Sequence, residues 1–240
     1  MQLSEIRVAA RYCGPPEAGN GGYVAGLLAG FATDSVSIRL QARSPLDLPL
    51  AVHAGDQGVV ELRDGATLIA TAWPQTLELD VPTAPNFDVA AEAATRYRGL
   101  REHPCPGCFV CGPDRADGLR VFAGALAHEG QECVAAVWTP DASLAGTRGR
   151  VRPEFLWAAL DCPGYFALVP DFRPMLLGSL AGRVEAEVRV GEPCVVLGWR
   201  LGTEGRKRRA GTALYGADGR CVARMAATWI ELRSAGFDGA

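Results

Sequence analysis

Asp161 is the residue in this chain that most needs a chemical explanation. It lies in Val151-Arg152-Pro153-Glu154-Phe155-Leu156-Trp157-Ala158-Ala159-Leu160-Asp161-Cys162, a run otherwise apolar nearly all round. Pro153 suits the first turn of a helix and Glu154 the positive end of its dipole, so the run predicts a buried helix in which Asp161 is the one carboxylate beyond the first turn. Burial among Trp157, Leu160 and Tyr165 would raise the pKa of that carboxylate, which suits a general base. Asn20-Gly21-Gly22 is the second feature. Asn20 is a good N-cap, and the backbone N–H groups of two following glycines can approach and stabilise an oxyanion at the positive end of a helix. The third is Cys105-Pro106-Gly107-Cys108-Phe109-Val110-Cys111, a C-x2-C-x2-C run. Thiolates so spaced can hold zinc or part of an iron–sulfur cluster, and His103 could complete a zinc set. No second C-x2-C is present, so the expectation is a tight loop without metal. Last, Arg206-Lys207-Arg208-Arg209 could meet phosphates, although basic runs are usually solvated.

The bulk of the sequence narrows the classes. With 240 residues and 48% apolar content the chain has ample material for a packed core. A formal charge of −3 gives no electrostatic motive for nucleic acid or an anionic membrane. No run approaches the length of a spanning helix, and Met1 to Arg7 lacks the pattern of an export signal; the expected location is cytoplasmic. Of the eight cysteines, the scattered Cys13, Cys133, Cys162, Cys194 and Cys221 read as small buried hydrophobes more than as a disulfide framework. There is no Gly-x-Ser-x-Gly elbow, Walker loop, His-Glu-x-x-His or dinucleotide fingerprint, so serine hydrolase, nucleotide and zinc-protease readings have no footing.

The elements that must position these residues come twice. Ile6 to Tyr12 signals a strand, ended by Gly14-Pro15-Pro16; Asn20 opens a small apolar helix through Phe31. Strands are expected next at Val36–Leu40, near Leu50–Val52, and at Val59–Leu62 and Thr67–Trp73 around the hairpin turn Asp64-Gly65, with Leu77–Leu79 closing the half. Residues 83–107, including an Ala/Glu/Arg-rich surface helix from Val89 to Leu100, read as a linker between repeats at 1–82 and 108–235. The second half repeats the order: Cys133–Trp138, the Asp161 helix, Arg183–Val188, Cys194–Val196, then Thr212–Tyr215 and Cys221–Ala226 around Asp218-Gly219, ending at Trp229–Leu232. Pro163-Gly164 predicts a break or kink just after Cys162. A helix followed by an antiparallel meander, twice over, is an α+β architecture in which one sheet can curl round two helices.

These residues resemble the hotdog-fold superfamily of acyl-CoA thioesterases and dehydratases, as a fused double hotdog. Cys108-Phe109-Val110-Cys111-Gly112-Pro113 followed by Gly118-Leu119 is similar to the lead-in of phenylacetate-pathway-type thioesterase relatives, Asn20-Gly21-Gly22 to their His-Gly-Gly turn, and Asp161 to the acid of their central helix. The resemblance implies a site in which the acid of one helix faces the N-terminus of the other. Aligning the two helices pairs Gly21 with Pro153, which has no N–H, and Asp161 with Ala29, so one complete site is expected. It implies thioester hydrolysis with Asp161 as general base or nucleophile, Gly21 or Gly22 as oxyanion donor, and Asn20 capping the turn or positioning water. Tyr23, Trp157, Tyr165 and Arg152 are the expected substrate contacts, and residues 206–209 a candidate for coenzyme A phosphates. The substrate would be an acyl-CoA, with no further cofactor, and the fused chain would pair as a homodimer. A non-catalytic acyl-CoA-binding protein is the alternative. A hydratase is a weaker one, since His53, His103 and His128 are all remote from Asp161 in sequence.

Overall fold

The alternating apolar segments pair into one antiparallel sheet in the computed structural model, which describes residues 1–32, 35–168 and 174–233. The first half supplies β1 (Gln2–Arg7), α1 (Gly21–Ala29), β2 (Val36–Leu40), β3 (Pro49–Ala54), β4 (Val60–Asp64) and β5 (Thr67–Pro74). After α2 (Phe87–Ala94), the second half supplies β6 (Gly124–His128), β7 (Gln131–Trp138), α3 (Pro153–Leu168), β8 (Met175–Val184), β9 (Cys194–Glu204), β10 (Lys207–Tyr215) and β11 (Cys221–Glu231). Among the described residues the eleven strands run β1-β3-β4-β5-β2-β8-β11-β10-β9-β7-β6. The halves join where β2 pairs with β8, Ile38 opposite Leu180 and Val36 opposite Gly182. One continuous sheet wraps two buried helices, as expected of a fused double hotdog.

Period-two alternation puts the two faces of the second half to different uses. Val134, Ala136, Val196 and Leu214 join the main core with α1 and α3. Ala135, Leu197, Ala213 and Tyr215 form a second cluster under α2. Ala90 and Ala93 of α2 are fully buried there. The helix expected on the surface from Val89 to Leu100 is therefore shorter and is a cover for the sheet, followed by a separate 3-10 turn at Arg98–Leu100.

Several expected boundaries move. The first strand ends at Arg7, because its register with β3 runs from Gln2 opposite His53 to Arg7 opposite Pro49. Ala10–Tyr12 is instead a 3-10 turn whose Ala10 N–H donates to the Asp47 carboxylate, 3.0 Å. Leu77–Leu79 forms no strand. Arg183–Val188 takes in only the last two residues of β8 and an irregular segment after it, since the pairing with β11 and β2 needs residues 175–184. β6 has no counterpart in the expected order, because Gly-Ala-Leu-Ala-His has weak strand propensity and lies at the sheet edge. Most consequential, Pro163 and Gly164 do not end the second helix, which continues to Leu168. Tertiary packing holds it: Gly198 on β9 leaves room for the Pro163 carbonyl, and a Cβ there would stand 2.7 Å from that oxygen. Asp161 is thus mid-helix.

Candidate active site

The two helices cross with backbone nearly touching backbone. A Cβ on Gly22 would lie 2.6 Å from the Asp161 Cβ and 2.7 Å from the Trp157 carbonyl oxygen; one on Gly26 would lie 2.6 Å from the Glu154 Cα. Moving forward along α1 moves backward along α3, so the helices are antiparallel and the N-terminus of α1 meets the middle of α3. Gly22-x3-Gly26 permits that approach. In sequence, Gly26 carries no signal beyond being small.

The junction is built around one carboxylate. Asn20 caps α1 by accepting the Tyr23 N–H at Oδ1, 2.9 Å. Its Nδ2 donates to Asp161 Oδ2 at 2.7 Å, and the Gly22 N–H donates to the same oxygen at 2.9 Å. Asp161 is only 3% exposed. Its other oxygen, Oδ1, is buried and has no hydrogen-bond partner among the described residues. Burial raises the Asp161 pKa to about 7, opposed by the Gly22 N–H and the Asn20 amide and assisted by nearby Cys108. An acceptor left bare at that depth is costly unless something else comes to it.

Asp161 lines a cavity of about 370 Å³. Its walls come from the turn before α1, the Leu40–Ser44 segment, the loop at residues 103–111, α3, β8 and the end of β11. Gly21 is on this wall; as the first residue of α1 its N–H has no acceptor within the helix. Tyr165 and Phe166 also line it, as do Arg43 and Trp229. The Trp229 indole N–H is buried without a partner among the described residues. In sequence Trp229 signals only the end of a strand and Arg43 signals nothing; the fold alone brings them to Asp161.

Of the expected site residues, Asp161, Asn20, Gly21, Gly22 and Tyr165 come together. Gly22 has a different task from the one expected, because its N–H is spent on Asp161 and is not free for an oxyanion. Asn20 is both cap and anchor of the acid. Tyr23 stacks on Tyr12 at 4.3 Å and packs by Phe155 and Phe109, away from the cavity. Trp157 is buried, the tip of its ring 2.9 Å from where a Cβ on Gly182 would be. Arg152 lies over Phe155 and pairs with Glu154 at 3.3 Å. None of these three lines the cavity. The basic run opens β10 at Lys207–Arg209, after Arg206 in the turn. Arg208 pairs with Glu231 at 2.8 Å and Arg206 donates to the Glu231 carbonyl; Lys207 and Arg209 are exposed, and none of the four borders the cavity.

The cysteine run divides unexpectedly. The Sγ atoms of Cys108, Cys111 and Cys162 all lie within 4.8 Å of one another and all three residues are buried, whereas Cys105 is outside the group. Thiol hydrogen bonds from Cys111 and Cys162 pull Cys108 below the ordinary thiol range; the bond to Cys108 pushes Cys162 up, and burial pushes Cys111 up. His103 does not join them. Its Nδ1 accepts the Cys105 N–H at 2.9 Å and its Nε2 lies 2.9 Å from the Tyr97 hydroxyl, which donates to the Cys111 carbonyl at 2.8 Å.

No protein-family model matches the chain, and no curated protein matches it in sequence. Solved structures do match in shape. A protein of Novosphingobium aromaticivorans, provisionally described as a thioesterase, superposes with a TM-score of 0.63 at 13% identity, covering 95% of this chain and 94% of that one. The tesB protein of Mycobacterium avium subspecies paratuberculosis matches at 0.61 and 11% identity over 95% and 92%. A conserved protein of unknown function with a hot dog fold from Alicyclobacillus acidocaldarius matches at 0.59 and 11% identity over 98% and 96%. The chain has the double hotdog fold over nearly its whole length.

Proposed function

We propose that this chain hydrolyses acyl-CoA thioesters at the cavity bounded by Gly21, Asp161 and Tyr165. The observation that carries the reading is the Asp161 carboxylate, with one oxygen held by Asn20 and Gly22 and the other buried and unpartnered, among the described residues, beside a cavity. A carboxylate fixed through Oδ2 can use Oδ1 to take a proton from water. The resulting hydroxide adds to the thioester carbonyl carbon, and the carbonyl oxygen, now an anion, is stabilised by the Gly21 N–H at the positive end of α1. Collapse expels the coenzyme A thiolate, and the proton on Asp161 returns to that sulfur. Direct attack of Oδ1 on the carbonyl, giving an anhydride that water then opens at the Asp161 carboxyl, uses the same geometry. Turnover in ¹⁸O water distinguishes the two, because only the anhydride route leaves label in Asp161. Arg43, exposed on the cavity wall, is the residue we assign to a coenzyme A phosphate, since residues 206–209 do not border the cavity.

The test is release of free coenzyme A from short, long and aryl acyl-CoAs by the unmodified protein and by Asp161→Asn. The substitution keeps the shape and removes the base; turnover should fall by about a hundredfold or more while the fold persists. An unmodified protein that binds acyl-CoA without turning it over would be a binding protein, and activity that survives in Asp161→Asn would place the chemistry elsewhere.

A further inference from the structure

Three thiols from two distant parts of the sequence converge on the wall of the cavity, and the backbone around them is shaped to present them. Cys108 and Cys111 lie in a pair of tight turns. The Cys108 N–H donates to the Cys105 carbonyl and the Gly112 N–H to the Cys108 carbonyl, each at 2.9 Å. Gly112 is compulsory at this bend, since a Cβ would collide with the Pro106 carbonyl and stand 2.6 Å from both the nitrogen and the oxygen of Cys108. The bend is tied on both sides. Phe109 N–H donates to the Cys13 carbonyl, Val121 N–H to the Val110 carbonyl, and the Tyr97 hydroxyl to the Cys111 carbonyl. The third thiol, Cys162, projects from the middle of α3 to a Cys108–Cys162 sulfur separation of 3.7 Å. Two thiolates on a tetrahedral zinc ion, each about 2.3 Å from the metal, are separated by about 3.8 Å. The trio therefore has almost the spacing of a loaded site, with the widest separation within 4.8 Å.

We propose that Cys108, Cys111 and Cys162 form a binding site for a thiophilic divalent metal ion, zinc, which fastens the loop at residues 105–113 to α3. Three thiolates leave one coordination position, and all three residues border the cavity, so water or a ligand from the cavity can complete the set. His103 does not supply the fourth ligand while both its ring nitrogens are engaged by Cys105 and Tyr97. Backbone and hydroxyl contacts that hold ligand-bearing segments in place are the usual support of such sites. The case for the site does not rest on the hydrolytic reading, although the two share a cavity, and its test uses no activity measurement.

The fully reduced, metal-free full-length chain is titrated with Co²⁺ and, separately, with Zn²⁺ against a chromophoric chelator. The expected result is one equivalent per chain, with the thiolate-to-cobalt charge-transfer band and visible bands of a tetrahedral site. Cys108→Ser, Cys111→Ser and Cys162→Ser should each weaken zinc binding by more than roughly a hundredfold, since even supporting contacts are worth about 10–100-fold. Cys105→Ser and Cys13→Ser should leave it unchanged. Circular dichroism identifies any variant that fails to fold, and the cobalt spectrum of the unmodified chain tests the site without any variant. Absence of the charge-transfer band, or zinc affinity retained in folded Cys108→Ser and Cys162→Ser, would overturn the assignment. So would a Cys108–Cys162 disulfide, found by alkylation and mass spectrometry, that persists in protein prepared under reducing conditions and excludes the metal.

Discussion

Asn20 donates from Nδ2 to Asp161 and accepts at Oδ1 from the Tyr23 N–H, so its truncation removes a helix cap and one of two donors to the acid together. Asn20→Ala should cost about 1 kcal/mol of stability in urea unfolding through the lost cap. It should also slow coenzyme A release, because Oδ2 would then be held only by the Gly22 N–H; full activity in this variant would show that the anchoring is not needed. The adjacent glycines separate two further contributions. A methyl on Gly22 meets Asp161 and the Trp157 backbone, neither of which can move aside, and Gly22→Ala should destabilise by about 1–3 kcal/mol. A methyl on Gly21 meets the ends of Leu177 and Leu40, at 2.9 and 3.1 Å, which can rotate. Gly21→Ala should therefore be the milder of the two in a denaturant midpoint, and an inverted order would mean that the helices do not cross in backbone contact.

α3 is an apolar helix that contains a proline, and its continuation to Leu168 depends on the strands beneath it. Pro163 cannot donate to the carbonyl one turn back, yet the helix does not stop, because Gly198 leaves room for the Pro163 carbonyl against β9 and Gly164 packs beside Trp229, Ala210 and Thr212. Gly198→Ala puts a methyl against backbone atoms and should cost about 1–3 kcal/mol, read as a lowered urea midpoint. Gly107, with open space around it, is the control and should tolerate alanine. Equal stability of the two variants would mean that β9 does not press on the helix. α2 depends on a similar fit, since a methyl on Gly124 would run into the Ala93 carbonyl.

The sheet joins two copies of one plan through β2 and β8, and the copies no longer match in chemistry. Gly21 has Pro153 as its counterpart and Asp161 has Ala29, so the counterpart positions offer neither an N–H nor an acid. Calorimetric titration with a non-hydrolysable acyl-CoA thioether should give one site per chain. Two equivalent sites would show that the second half binds substrate through other residues.

The repeat, both central helices, the hairpins at Asp64-Gly65 and Asp218-Gly219, and the isolation of Asp161 among apolar neighbours can be read from the residues alone, because periodicity, caps and turn chemistry are local. The pairing of Asn20 and Gly22 with Asp161 is legible in part, through the complementary differences between the two helices. The rest is not, because it depends on which distant surfaces touch. Gly22 turns from oxyanion donor into a partner of Asp161 once the helices cross within backbone contact. Tyr23, Trp157 and Arg152 go to the core or to a neighbouring ion pair, and Arg43 and Trp229 come to the cavity from elements on either side of the β2–β8 seam. Cys108 and Cys111 find Cys162, 54 and 51 positions away, in preference to Cys105 three residues before Cys108. Spacing along a chain determines what a segment can form by itself; the convergence of segments is set by packing, which has no fixed separation in sequence.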